Sequence, residues 1–521
     1  MEQSRIRSRS SFIGTAIAQL ATTAASTIAY TILTPLIYST LQAQLYGVYV
    51  IGQRVSSIGG ISNFGATSLL KIQLIRCLGA KKESEIPYAL GAAVTQWLVM
   101  LPLLCGFVAI WTLWFTQQEQ LKLSESIGVG LMVATPAILQ LLSIPQVSLY
   151  SAGRGYVGGI STMIQICVAS TAIAILLNAG VKLVAIPSSQ IATATVLAVY
   201  LHTKATKQLE WYTFRFRGVK SIARNITESI HVTLGSIGNL VLQQADILLV
   251  AAVHGSAIAG QCALSMTLVR GIEAIGRVIN ASILPENGQQ LAAQRYENVF
   301  NDLNAQIKRI DTYMSLAMGP ALMLTAPLLR HWIGPGIYQG EVTVAAAFII
   351  TFSRLKLNKT SQLLDQLGDY TYRTGVTLIA LVAMCSVGAL AAAVDMNAGE
   401  LLGLLSLLSV ITSEIIANRL DVRLGQKNNY HFKSLTYTMA AIVLILTIGG
   451  TGASRTPSIP LICVAQTGIT ILFRWHPIIE DSQILVKHVA QMIQRAMPRS
   501  YRKEQSINNE KQQETESAVK L

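Results

Sequence analysis

The chain is dominated by apolar runs of about 20 residues, separated by short polar or charged stretches. A run of that length, wound as a helix, crosses a hydrocarbon core of about 30 Å. In lipid no water is available to the backbone, so every N–H and C=O has to be satisfied within the segment. About fourteen such runs can be placed. They lie at roughly 12–36, 45–68, 87–112, 126–149, 157–178 and 182–202, then 227–252, 258–282, 311–333, 342–364, 374–395 and 400–418, and finally 434–453 and 457–475. The composition agrees: 51% of residues are hydrophobic and only 13% are charged, against about 25% charged in a soluble domain. A soluble globule and a disordered chain are both excluded. The expected fold class is an all-α polytopic membrane protein.

The first residues carry Arg5, Arg7 and Arg9 ahead of an apolar run, which has the look of a secretory signal. That run is too long for a signal core and leads into another hydrophobic segment. It is read as a retained first span.

A formal charge of +14 would suit nucleic acid, but membrane proteins gather Lys and Arg on their cytoplasmic side. With the N-terminus inside and spans alternating, the outer loops hold only Lys122, Lys182, Arg330 and Arg455. Arg54, Arg270 and Arg277 remain within spans, and the other cations are assigned to the inner side. The expectation is a multi-pass protein of the cytoplasmic (inner) membrane with both termini cytoplasmic, and no nucleic-acid partner.

Span 2 opens with Leu45-Tyr46-Gly47-Val48-Tyr49 and span 8 with Ile258-Ala259-Gly260-Gln261-Cys262. Each follows a very short outer loop, carries an intramembrane Arg, and runs into a long inner segment. This repeat predicts an N-terminal lobe over 1–210 and a C-terminal lobe over 211–425, six spans each. Two spans are appended over 426–476. An amphipathic interfacial helix is expected over 477–498, where Ile478, Leu485, Val489 and Met492 fall near helical spacing, and a disordered tail over 499–521. The segment Trp211, Tyr212, Phe214, Arg215, Phe216, Arg217 alternates aromatic and basic residues, as expected of a stretch riding the headgroup layer.

An ionisable group near the bilayer centre costs roughly 2.5–3.5 kcal/mol on insertion scales, so it generally faces a cavity or a partner. Arg270, Glu273, Arg277 and Asn280 recur at helical spacing on one face, with Glu273 and Arg277 as an i,i+4 pair. Asn239, Gln243 and Asp246 share a face of span 7. Arg54 is about 12 Å, and Asp246 about 9 Å, below the outer ends of their spans at a rise of about 1.5 Å per residue. The similar depths suggest an Arg54–Asp246 bridge between lobes that closes an outer gate. No Asp or Glu falls inside spans 1–6, so the N-terminal half of any cavity is neutral or cationic. That suits an anionic substrate.

No phosphate-binding G-x-x-x-x-G-K-[ST] loop, dinucleotide fingerprint or HExxH motif is present. The six cysteines include no CxxC pair. No cofactor or metal is expected, and a transporter not driven by its own ATP hydrolysis is favoured over an enzyme. An inside-negative potential is worth about 2.3 kcal/mol per charge per 100 mV, which suffices to favour outward movement of an anion.

The order of several short motifs resembles the multidrug/oligosaccharidyl-lipid/polysaccharide exporter superfamily, and within it the polysaccharide (O-antigen-type) flippases. They are Leu45-Tyr46-Gly47-Val48-Tyr49, then Asn63-Phe64-Gly65-Ala66, then Gln243-Gln244-Ala245-Asp246-Ile247-Leu248-Leu249 with the Gly255 turn, and Ile283-Leu284-Pro285 leading into Gln289-Gln290-Leu291-Ala292. The likeness covers roughly residues 20–300. Asn63 stands where the family commonly has Asp. The resemblance implies two six-helix lobes around a central cavity, alternating access, and a polyprenyl-pyrophosphate-linked oligosaccharide as substrate. Arg54, Arg270 and Arg277 would contact the pyrophosphate. Asp246 and Glu273 would gate or pair, and Asn239, Gln243 and Asn280 would line the cavity. Membrane lipids, a polysaccharide polymerase and glycosyltransferases are the implied partners. Two other classes compete: an ion-coupled multidrug or metabolite antiporter of the same fold, which an acidic N-lobe cavity would favour, and a glycan polymerase or ligase, which calls for a large outer loop. The longest outer loops are only about a dozen residues.

Overall fold

The computed structural model describes residues 2–59, 66–79, 82–152, 154–216, 241–273, 276, 291, 295–367 and 369–425. The chain divides into two compact units, Met1–Val464 and Ala465–Leu521, and all described residues belong to the first. Spans 13 and 14, the interfacial helix and the tail lie outside the described residues, as do Asn239, Arg277 and Asn280.

Among the described residues the only regular elements are helices: α1 (Glu2–Gly59), α2 (Ala66–Gly79), α3 (Ile86–Glu119), α4 (Leu123–Leu142), α5 (Ile144–Ser151), α6 (Gly155–Asn178), α7 (Ala185–Gln208), α8 (Val241–His254), α9 (Ser256–Ser265), α10 (Tyr296–Trp332), α11 (Gly340–Gln366), α12 (Tyr370–Ala393) and α13 (Ala398–Arg423). Seven segments of these are long and apolar enough to cross a membrane. The molecule is an all-helical, multi-pass membrane protein. α1, α4, α6 and α7 pack as one lobe, and α10 to α13 as the other.

Helix α1 contains both of the first two spans. The break between them is a single residue, Gln42, at φ 61° and ψ 173°. Its side-chain amide donates to the Ser39 carbonyl and caps the first half. The chain folds back there: the Tyr38 and Tyr46 rings lie 5.3 Å apart, and Tyr30 sits within electrostatic reach of Arg54. On a straight helix residues 30 and 54 would be about 36 Å apart. A bend this tight needs no loop, so the expected polar connection is reduced to one residue.

Three other expectations change. Span 4 is broken at Ser143, ahead of Pro145, into α4 and α5. The inner segment before span 9 is helical from Tyr296, because Val299, Phe300, Leu303 and Ile310 give that extension a buried face. In the aromatic–basic segment Tyr212 is core, packed against Leu70, Leu74, Ile86 and Leu90, while Phe216 is exposed. Arg215 donates its backbone N–H to the Pro87 carbonyl. Burial raises the Tyr212 phenol to about 12.

The end of the bundle that carries Gln42 differs from the opposite end. At the Gln42 end one hydrophobic core runs through both lobes, including Tyr46 and Val48 of α1 and Ala259 and Cys262 of α9. Gly47 and Gly260, the two glycines of the internal repeat, face each other, with a Cβ on Gly260 falling 3.0 Å from the Gly47 Cα. A Cβ on Gly47 would collide with the Ser256 carbonyl. Only glycine on both helices allows this approach. At the opposite end each lobe has its own satellite core. One joins α2, α3 and α7 around Leu74 and Leu90, and the other joins α10, α11 and α13 around Leu303, Leu363 and Leu420.

Beside the second satellite core, Asp369 accepts hydrogen bonds from Nε of Arg419 and of Arg423, each at 2.8 Å. The Arg423 bond, reinforced by Arg419, outweighs desolvation and holds the Asp369 carboxyl below its usual 3.8. A depressed folded-state value means the stabilisation is complete near neutral pH and is lost as pH falls through that value. Asp369→Asn is therefore expected to lower the thermal midpoint at pH 7, with the difference from the parent shrinking as pH falls below 3.8, as checked by melting the detergent-solubilised protein. Gly47→Leu is expected to open the Gln42 end. A cysteine at Gln44 should become several-fold more reactive to a water-soluble maleimide, whereas Gly106→Ala, where a Cβ meets nothing within 4 Å, should leave it unchanged.

Candidate anion site between the lobes

Four charged groups converge near mid-depth. Arg54 is 12 residues past the Gln42 bend, about 18 Å along α1. It was expected shallower, because the span was taken to start later than the actual bend. Asp246 is 8 residues before the end of α8, about 12 Å, and Arg270 is 14 residues after the start of α9. The helix resumes after a turn at Met266 and carries Arg270 and the buried Glu273. Arg354 is 14 residues into α11, about 21 Å from its start.

The partners differ from the sequence expectation. Asp246 does not bridge to Arg54; its Oδ1 is 3.0 Å from the Arg354 guanidinium, within the same lobe. Gln243 donates to the Asn358 side chain at 2.6 Å. Residues 243 and 246 thus form two rungs to residues 358 and 354, which are an i,i+4 pair on α11. This polar face of α8 is turned into its own lobe, not across the cavity. Arg54 crosses between lobes instead to Gln244, on another face of α8, donating to its Oε1 at 2.6 Å. Arg270 lies against the Met266 sulfur, one turn back.

Arg54 is within electrostatic reach of Arg270, Asp246 and Arg354. Three guanidinium groups therefore share one field with one carboxylate, and counting Glu273, one turn from Arg270, with two. The array stays cationic. On the other lobe's side, the acids of α1, α3, α4, α6 and α7 among the described residues sit only at helix ends: Glu2, Glu119 and Glu125. Glu125 caps α4, accepting from the Lys122 backbone N–H at 3.0 Å. No anionic group of those helices stands opposite the arginines.

Sequence reasoning missed α11. Arg354, Lys356 and Lys359 were assigned to the inner side although they stand inside span 10. All three are buried in the helix interior. Lys356 pairs with Glu414 of α13 at 2.5 Å. The signal was present in the sequence, since all three fall within the run 342–364. The pairing of 354 with 246 and of 356 with 414 links residues far apart in sequence and is not readable from spacing.

An anion entering between the lobes would meet Arg54 and Arg270 first. Arg354 is already matched by Asp246, and Lys356 by Glu414. The amide groups of Gln244 and Gln53 add neutral polar contacts, Gln53 donating to the Tyr49 hydroxyl at 2.6 Å.

No protein-family model matches the sequence, and no curated protein matches it closely enough to count. Solved structures do match the fold. A MOP-superfamily transporter from Pyrococcus furiosus, described by the reverse polarity of its binding pocket, aligns with a TM-score of 0.57 at 12% identity, over 80% of this chain and 96% of that one. An outward-facing multidrug resistance MATE family transporter aligns at 0.57 and 11% identity, over 81% of this chain and 97% of its own. An inward-facing one aligns at 0.52 and 12%, over 81% and 94%. The architecture described above is thus the two-lobed, all-helical fold of MATE transporters of the MOP superfamily.

Proposed function

We propose that the chain is a flippase that moves a polyprenyl-pyrophosphate-linked oligosaccharide across the cytoplasmic membrane by alternating access, for cell-surface polysaccharide biosynthesis. The observation that carries this reading is the surplus of guanidinium groups at mid-depth, with no carboxylate opposite them on the helices of the N-terminal lobe among the described residues. A pyrophosphate offers several oxygens to such groups, and guanidinium is the cation best matched to phosphate geometry. An array held in low dielectric attracts an anion more strongly than the same charges in water. It repels a cationic drug for the same reason. A transporter of this fold with reversed pocket polarity is a precedent for changing the pocket charge within one architecture.

In the charge-based topology the Gln42 end faces outward and both termini are cytoplasmic. Among the described residues, the continuous core at that end and the separate satellite cores at the other are what an inward-facing state calls for. A headgroup reaches Arg54 and Arg270 from the cytoplasm, and the membrane potential favours its outward passage. The external face releases it to partner polymerases or glycosyltransferases.

The other reading, an ion-coupled multidrug or metabolite antiporter, needs a carboxylate free to exchange protons or cations. Asp246 is one acid at the arginines, and its ion pair with Arg354 speaks against that role.

Two measurements test the choice. In liposomes, a fluorescent polyprenyl-pyrophosphate sugar should become protected from an external quencher at a rate that falls about tenfold to a hundredfold in Arg54→Ala or Arg270→Ala, the loss of one charge-assisted contact of about 1.5–3 kcal/mol. No transport above empty liposomes would overturn the flippase reading. Asp246→Asn should leave Arg354 without its acid and raise affinity for inorganic pyrophosphate, read by calorimetry, while slowing flipping without abolishing it. Abolished transport with unchanged pyrophosphate affinity would favour the antiporter.

A further inference from the structure

A crevice of about 980 Å³ opens between the second half of α1, the last third of α3, and the α8–α9 turn. That volume is at the upper end for a small-molecule pocket, about 300–1,000 Å³. Its walls are apolar and aromatic: Ile51, Val55, Phe107, Trp111, Trp114 and Leu248. The Trp111 ring stacks on Phe115 with centroids 4.8 Å apart, which makes that wall rigid.

Polar groups gather only at the Gln42 end. There the Ser256 hydroxyl donates to Glu119 at 2.8 Å and ties α3 to the start of α9. The His254 Nε2 at this rim is buried and has no hydrogen-bond partner.

The crevice opens sideways to hydrocarbon. On α3, Leu103, Phe107, Ile110 and Trp114 are exposed at 65%, 43%, 72% and 55%. Their spacing of 4, 3 and 4 makes one lipid-facing stripe. Phe107 and Trp114 belong both to that stripe and to the crevice wall. The inner end lies next to the site already described. Ile51 and Val55 flank Arg54 on α1, and Leu248 is one turn beyond Gln244, the residue that Arg54 grips. One turn is about 5.4 Å.

We propose that this crevice holds the hydrocarbon chain of the lipid whose anionic head binds at Arg54 and Arg270. The proposal rests on the flippase reading above. A headgroup crossing the bilayer through a wet cavity would drag its chain into water unless the cavity has an apolar exit. The aromatic crevice is such an exit: its wall residue Leu248 is one helical turn from Gln244, the partner of Arg54, and its lipid-facing side lets a long chain trail into the bilayer. The polar rim marks the end at which the head leaves.

The test uses photo-crosslinking in liposomes. One probe is a long-chain polyprenyl phosphate with a diazirine on its chain, and the other is phosphatidylcholine with a diazirine in an acyl chain. Adducts are mapped by mass spectrometry. The polyprenyl probe should label the 103–115 segment of α3, and unlabelled polyprenyl pyrophosphate should displace it. Ala252→Trp, which fills the crevice from α8, and Trp114→Ala, which removes a wall, should each cut labelling several-fold. Binding of inorganic pyrophosphate should persist in both. Equal labelling by phosphatidylcholine without displacement would mean an ordinary membrane lipid, and no labelling by either probe would mean a water-filled vestibule. Either result overturns the proposal. If pyrophosphate binds in an Arg54-dependent way without polyprenyl labelling, the crevice assignment alone fails. If the crevice is labelled but pyrophosphate does not bind, the flippase reading fails and the proposal falls with it.

Discussion

Guanidinium groups cannot be left in hydrocarbon without partners, and this constraint governs how the two lobes meet. Arg54 comes from α1, Arg354 from α11, and Arg270 from the helix that resumes after α9. Each needs a polar surrounding at a depth where lipid offers none. Arg354 finds Asp246, and Arg54 finds Gln244 on the facing lobe. A buried ion pair is weak evidence for stability, because desolvation offsets most of the attraction. Its consequence is better sought in orientation. The Asp246–Arg354 pair fixes the polar face of α8 against α11, and this turns Gln244 toward Arg54.

The two ends of the bundle are held by different physics. At the Gln42 end the lobes approach to backbone contact at Gly47 and Gly260, and a side-chain bond from Ser256 to Glu119 adds a second tie. Close approach through small residues is how helices associate in lipid, where hydrophobic burial offers little between them. At the other end each lobe closes on its own cluster of leucines, with Tyr212 completing one and the Asp369–Arg419–Arg423 contacts beside the other. Among the described residues, each lobe thus has a core of its own at that end, and a shared core only at the Gln42 end.

Much of this was legible in the linear sequence. The internal repeat around Gly47 and Gly260 was visible as matched positions after short turns, and the two glycines do occupy matched positions, facing each other. Arg54, Arg270 and Asp246 were found because a charge within an apolar run is conspicuous. Arg354, Lys356 and Lys359 were not, although they too stand in an apolar run. Three cations within six residues look like an inner-side cluster, and only packing against α8 and α13 supplies the acids that make the burial of Arg354 and Lys356 tolerable. Tyr212 was misjudged for a related reason: an aromatic–basic alternation reads as an interfacial anchor, whereas α2, α3 and α7 build a pocket that swallows the ring.

The sequence by itself determined the helical character, the multi-pass class and the presence of charges within the spans, because lipid forces local solutions: each span satisfies its own backbone, and each charge announces itself by contrast. What only the tertiary structure decided is who partners whom. Gln244 rather than Asp246 receives Arg54, and Arg354 rather than Arg54 receives Asp246. Helix spacing fixes which residues share a face, but the rotation of that face toward one neighbour or another is set by the packing of helices more than a hundred residues apart. The aromatic crevice has the same origin. Its walls come from three separate segments, each unremarkable alone, and it exists only where their apolar faces fail to close on one another beside a charge that lipid alone would not accept.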